Sequence, residues 1–128
     1  MKCPSIFPTE PERLDALAAY GLDSERQLPS LDPVVRIAAR MFGMPVAAVN
    51  LIGSDHVFFA ASTGIDEAVD MRRDVSFCAH AINQHDVMVV PDALLDERFH
   101  DNPLVTGSAQ LRFYADVPLL SPDGHALG

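Results

Sequence analysis

Two neighbouring segments constrain the fold more than anything else in the chain. Val46–Ile52 is a short, nearly continuous apolar run, and His56–Thr63 is rich in β-branched and aromatic residues around Val57-Phe58-Phe59. Only Gly53-Ser54-Asp55, a turn cluster, separates them. Two strand-like runs joined this closely read as a β-hairpin, which commits the chain to an antiparallel pair. Immediately upstream, Leu31, Val34, Val35, Ala38, Met41 and Phe42 recur at helical spacing, and Gly43 with Pro45 ends the pattern. This stripe is expected to face one core, with Ser30 as its N-cap and Arg36 and Arg40 on another face.

The flanking sequence adds shorter elements. Thr9-Glu10-Pro11-Glu12 predicts a capped helix start, followed by Leu14, Leu17 and Ala18 at helical spacing and Gly21 as a stop. After Gly64, Ile65–Asp74 is a polar connector with four acids. Ser76 is placed to cap a short helix on which Phe77, His80 and Ala81 share a face. Val87–Val90 reads as a strand closed by Pro91, and Leu111–Leu120 as a last strand interrupted by Pro118. Ser121-Pro122-Asp123-Gly124-His125 is a hairpin turn that calls for a returning strand, beginning at Ala126. Hairpin-linked strands with helices on one face give an α+β fold, in one domain of 128 residues with a flexible tail at 1–8.

Composition narrows the function classes. About half the residues are apolar, enough for one buried core at this length, and the formal charge is −9. An acidic surface of this size repels phosphate backbones and anionic lipid, so nucleic acid and membrane are not expected partners. No apolar run approaches the ~20 residues of a membrane span. The N-terminus lacks the apolar core of a secretory signal, and two cysteines, Cys3 and Cys78, make no disulfide framework, so a cytoplasmic setting is expected.

Several segments together resemble a known family. They are Pro45–Leu51, Ser76-Phe77-Cys78-Ala79-His80-Ala81-Ile82, Val90-Pro91-Asp92-Ala93, Asp96-Glu97-Arg98-Phe99, Asp101–Val105, Leu111-Arg112-Phe113-Tyr114-Ala115 and Pro118-Leu119. In this order and spacing the chain is similar to bacterial GAF domains that precede diguanylate cyclase or histidine kinase modules. The resemblance implies a GAF-like, profilin-like antiparallel sheet. It also implies a further core strand after the Asp123-Gly124 turn, which this chain leaves at its first glycine, Gly128. As function it implies a non-catalytic sensor that holds a small ligand between the sheet and the segment from about Asp66 to Asp101, with the cofactor unknown. It further implies a homodimer, for which the Leu14/Leu17 face is the candidate contact. A ligand-free dimerisation module, or a redox or metal sensor using Cys78 and His80, is the alternative. The Asn-Lys…Phe…Asp-Glu signature of cyclic-nucleotide binders, the clustered cysteines of free methionine sulfoxide reductases and a bilin attachment pattern are not found.

The residues that carry possible chemistry are few. Cys78 and His80 are both metal-ligating types, and Cys78 at a helix start would gain thiolate character. The plainer reading is a packed thiol and a histidine bonded to a backbone carbonyl. A nucleophile reading would add Asp92 or Asp116 to orient His80. Strand alternation puts Arg112, Tyr114 and Asp116 on one face, where Arg112 either grips an anionic ligand or pairs with a connector acid. Phe59 and Phe58 point to opposite faces, one toward the core and one toward pocket or solvent. Asp92, Asp96 and Asp101 either bind a cation or act as caps. The expected ligand-binding set is therefore Phe59, Ser76, Cys78, His80, Asp92, Arg112, Tyr114 and Asp116.

Overall fold

The computed structural model describes residues 1–22, 27–64 and 71–128. The first part of the polar connector, residues 65–70, lies outside them, and with it part of the expected ligand-covering segment.

The hairpin forms as the sequence dictates. Strand β1 (Ala47–Ile52) pairs antiparallel with β2 (His56–Thr63), and the turn closes with Gly53 N–H donating to the His56 carbonyl at 2.8 Å. A bulge interrupts the ladder: Val49 opposes Ala61 while Asn50 opposes Phe59, so Ala60 is the extra residue. The short β3 (Met71–Arg72) pairs with the start of β2, giving the order β1-β2-β3. A second sheet joins β4 (Met88–Val90) to β5 (Tyr114–Asp116), also antiparallel.

The expected strand over Leu111–Leu120 is thus much shorter. Leu111 instead donates its N–H to Leu104, and past Pro118 the chain changes partner. The hairpin turn at Ser121–His125 forms, with Gly124 at φ +86°, and Leu120 bridges Ala126. The C-terminal strand counted as missing is therefore begun. Leu127 donates to Leu119 at 2.8 Å and accepts from Ile52 at 2.9 Å, so residues 126–128 hydrogen-bond to β1 on one side and to Leu119 on the other. Gly128 fits there because it has no side chain: a Cβ would lie 1.8 Å from the Asn50 carbonyl oxygen.

Adjacent β1 residues serve opposite faces. Leu51 packs with Ala60, Leu127 and Leu17, beneath the two longer helices α1 (Glu10–Ala19) and α2 (Asp32–Phe42). Ile52 packs with Val57, Cys78, Ile82 and Ala126 on the other face, under the short α3 (Cys78–Ala81). Tyr114 joins this second cluster to a third around Phe77, Val90, Phe99 and Val105, the last on α4 (Pro103–Thr106). The longer helices lie on one face, as expected, and the short ones cover the other.

Several sequence expectations change. Thr9 precedes α1 without capping it, and Ser30 sits in a 3-10 turn (Pro29–Leu31) before α2. Leu17, expected with Leu14 as a candidate dimer contact, is 1% exposed and packs in the core, while Leu14 is half-buried. On α2 only Val35 is buried, while Val34, Met41 and Phe42 are 52%, 74% and 71% exposed. The apolar positions wrap more than half the helix, and one side alone touches the sheet. Residues 1–8, expected as a flexible tail, lie against the domain: Lys2 N–H donates to the Arg98 carbonyl, and the Ser5 carbonyl accepts from Asn83 at 3.0 Å.

The elements are tied at one point by charge. Glu10 accepts from Arg13 at 2.8 and 3.0 Å and from Arg73 at 2.5 and 3.2 Å. Arg13 and Arg73 are only 6% and 4% exposed, and both donate to the Gly53 carbonyl. Arg13 also reaches the Ala126 carbonyl. Burial opposes ionisation of Glu10, but the two guanidiniums outweigh it and hold its pKa at about 2 against an ordinary 4.5. Replacing Glu10 by Ala strands two buried cations and is expected to cost about 3–5 kcal/mol in urea denaturation at neutral pH. A carboxyl with a depressed folded pKa stabilises the fold above its unfolded value and ceases to do so as pH falls through the folded one. Stability should therefore decline as pH falls from 4.5 towards 2, and the Glu10→Gln chain should lose that part of the acid slope in parallel denaturation series.

Candidate functional site

The face of the hairpin under α3 carries a polar group within apolar surroundings. Ser76, 2% exposed, donates to the Arg73 carbonyl at 3.0 Å and accepts the Ala79 N–H at 3.2 Å, which fixes the start of α3 as the sequence predicts. That start turns Cys78 inward against Ile52 and Val57. From β5, Tyr114 donates its hydroxyl to Asp116 Oδ2 at 2.5 Å. Asn50 on β1 completes the group, and its Oδ1 is buried without a hydrogen-bond partner among the described residues. Phe59, half-buried, is the cross-strand neighbour of Asn50.

Burial dominates the electrostatics here. It pushes the Cys78 thiol up to about 11, with the Asp116 charge acting in the same sense against hydrogen bonds from Ser76 and Asn50. It pushes the Tyr114 phenol well above 10.0, with Cys78 and Asp116 adding to the shift. Burial also raises the Asp116 carboxyl above 3.8 despite the bond from Tyr114. The thiol and the phenol thus favour their neutral forms, and Cys78 is suited to hydrogen bonding rather than to nucleophilic attack.

The aromatic residues beside this group close over it. Phe77 stacks on Phe99 with centroids 3.9 Å apart and planes 14° from parallel, and Tyr114 meets Phe77 edge-on at 5.2 Å. Phe99 is fully buried, so this side is packed solid among the described residues.

Of the expected site residues, the structure brings together Ser76, Cys78, Tyr114 and Asp116, with Phe59 beside Asn50. His80, Asp92 and Arg112 stand apart. His80 Nε2 lies 3.2 Å from the Lys2 carbonyl, and its ring meets Phe99 edge-on at 4.9 Å. Burial lowers its pKa. Cys78 and His80 therefore point into different environments, and no group of three or more metal-ligating side chains occurs among the described residues. Asp92 caps the 3-10 turn Ala93–Leu95 by accepting from Leu94 N–H at 3.0 Å. Asp96 binds Arg98, and Asp101 pairs with the Met1 ammonium. Arg112 lies before β5 and donates to the Val105 and Leu111 carbonyls, both at 3.0 Å; of the connector acids with which it was expected to pair, Asp66, Glu67 and Asp70 lie outside the described residues.

Asn50 is the residue that sequence reasoning missed. Its signal was present, a lone amide inside the apolar run Val46–Ile52. A polar side chain within an apolar strand needs partners for all its polar atoms, and its Oδ1 has none among the described residues.

Comparison with known proteins bears on this arrangement. The chain is 38% identical over 125 residues to a cyclic di-GMP phosphodiesterase of Pseudomonas aeruginosa, an alignment covering 94% of this chain and 21% of that protein. The chain thus spans about a fifth of its relative's length. Residues 29–128, which hold the hairpin, α3 and the whole polar group, match the GAF domain, and the chain belongs to that family.

Proposed function

We propose that this chain is a non-catalytic regulatory module of a bacterial cyclic di-GMP signalling protein, sensing a small molecule at Asn50, Cys78, Tyr114 and Asp116. The observation that carries this reading is the polar group itself. A carboxyl, a phenol, a thiol and an unsatisfied amide oxygen share one side of an otherwise apolar sheet. Burying such groups opposes folding unless they are bonded, and apolar residues of the same size would pack at lower cost. A ligand offering a donor to Asn50 Oδ1 and Asp116 would satisfy what the protein leaves open. Because the Phe77–Phe99 stack fills the adjoining space, entry requires α3 and its neighbours to shift, so binding acts by favouring an opened arrangement. The similarity to a phosphodiesterase supports an output domain that turns over cyclic di-GMP rather than one that makes it.

A second reading, an interaction module that binds no ligand, is favoured by a different observation: α2 leaves Ile37, Met41 and Phe42 more than half exposed. Native mass spectrometry against the denatured protein separates the two readings. An added mass lost on denaturation supports the sensor, and its absence supports the interaction module.

Asp116 gives a sharper check. A carboxyl whose folded pKa is raised favours the fold below its unfolded value and loses that contribution as pH rises through the folded one. Asp116→Asn is therefore expected to raise the melting temperature at pH 7 relative to the unsubstituted chain, while losing any co-purified mass. A residue kept for ligand chemistry shows this opposition between stability and function. A lower melting temperature would mark Asp116 as structural.

A further inference from the structure

We infer that residues 2–6 are a clasp that holds the cover of the polar group shut, so that release of this segment regulates access to it. The inference rests on the sensing role proposed above and adds a control to that same site. The cover has two halves, α3 with its exit and the loop 96–101, joined through the Phe77–Phe99 stack. The segment grips both. Lys2 N–H donates to the Arg98 carbonyl at 3.2 Å, the Lys2 carbonyl meets His80 Nε2 at 3.2 Å, and the Ser5 carbonyl accepts from Asn83 at 3.0 Å. His80 and Arg98 themselves lie against Phe99, the ring edge-on at 4.9 Å and the guanidinium carbon 4.8 Å from the ring centroid. The two halves therefore cannot part without breaking at least one of these bonds, and they have to part before anything reaches Cys78, Tyr114 or Asp116.

The attachment is built for release. Of residues 1–8 only Pro4 is half-buried and the others are exposed, so no apolar side chain ties the segment into a core. Pro4 and Ile6 border an open depression of about 350 Å³ lined also by residues 54–56 and 72–74, so the segment is not packed down along this stretch. What holds it is hydrogen bonds at exposed positions, each of small net worth. Segments with few buried contacts open at low free energy. The downstream end, by contrast, is fixed. The Phe7 carbonyl accepts the Glu10 N–H at 3.0 Å, and the Glu10 carboxylate is held by Arg13 and Arg73. A strip anchored at one end and lightly pinned to the cover at the other is a catch rather than a free tail.

Hydrogen exchange of the intact chain, read by mass spectrometry, tests this. Two variants loosen the clasp from opposite sides. Lys2→Pro removes the donor to Arg98 and alters no residue of the cover. His80→Phe/Asn83→Ala keeps a ring on Phe99 and removes both side-chain partners of the segment. In each, amides of residues 77–83 and 96–101 should exchange about tenfold faster, while those of β1 and β2 keep their rate. In a Cys3→Ser background, labelling of Cys78 by a thiol reagent under native conditions should quicken by a similar factor.

Unchanged exchange over the cover in both variants would overturn the inference. So would equal acceleration in β1 and β2, because the segment would then serve the stability of the whole domain. Native mass spectrometry keeps the two proposals apart. Absence of a co-purified mass removes the sensing role, while faster exchange confined to the cover still supports the clasp. Where a mass does co-purify, the loosened chains should carry it in a larger fraction of molecules after the same dilution, since the opened arrangement that binds it is more populated. An equal or smaller fraction would overturn the inference.

Discussion

The alignment of α1, the hairpin turn and the C-terminal residues on one another rests on one carboxylate. Glu10 is the single anion between Arg13 and Arg73 among the described residues, and those two guanidiniums converge on the Gly53 carbonyl at the hairpin turn. Arg13 extends the same network to the Ala126 carbonyl. Four stretches of chain far apart in sequence, namely α1, the hairpin turn, the 3-10 turn after β3 and the C-terminal residues, thus share one ionic centre. Two buried cations with one anion are tolerable only because backbone carbonyls supply the remaining acceptors. The hydrophobic clusters fix which faces meet, while this centre fixes how the elements are aligned along those faces.

The sequence was informative where structure is local. The hairpin, the stops at Gly21 and Gly43, the Ser76 cap and the Ser121–His125 turn each depend on a few adjacent residues, and each is found. Expectations failed where a distant partner decides. Glu10 was legible as part of a capping signature, yet its carboxylate is taken by Arg13 and by Arg73, 63 positions away. Leu17 was legible as one of a weak stripe, but only the folded sheet shows that it is core. The α2 stripe illustrates the limit of periodicity. Apolar residues on more than half of a helix name a helix correctly and leave open which side faces in.

The candidate site was half legible for the same reason. Tyr114 and Asp116 share a strand face, and alternation alone predicted their meeting. Arg112 obeys the same parity, but the strand begins after it, so parity did not apply. Cys78 and His80 drew attention by standing two apart, which on a helix sends side chains to different sides. The structure accordingly gives one to the core and the other to the N-terminal segment. Asn50 went unremarked because a single amide in an apolar run looks like a tolerated exception until its buried oxygen is seen without a partner.

The ionic centre and the polar group are separated by the sheet but share residues. Ala126 packs its side chain against Cys78 and gives its carbonyl to Arg13. Two residues on, Gly128 lies in van der Waals contact with the backbone of Asn50 and cannot carry a side chain. Residues 126–128 therefore touch the polar group on one side and the α1 network on the other, held by hydrogen bonds to Ile52 and Leu119. Coupling between two sites needs a contiguous element that both can bias. Residues 126–128 are the one segment that meets both descriptions here, and under the proposed function a displacement at Cys78 or Asn50 would have little room to be absorbed before it reached Arg13. Under the proposed sensor reading, the polar group and the helix anchor meeting on one strand would give binding a route to the helices on the far face. The filled interior around Phe77 and Phe99 serves the same end, because a close-packed core transmits strain where a loose one would dissipate it.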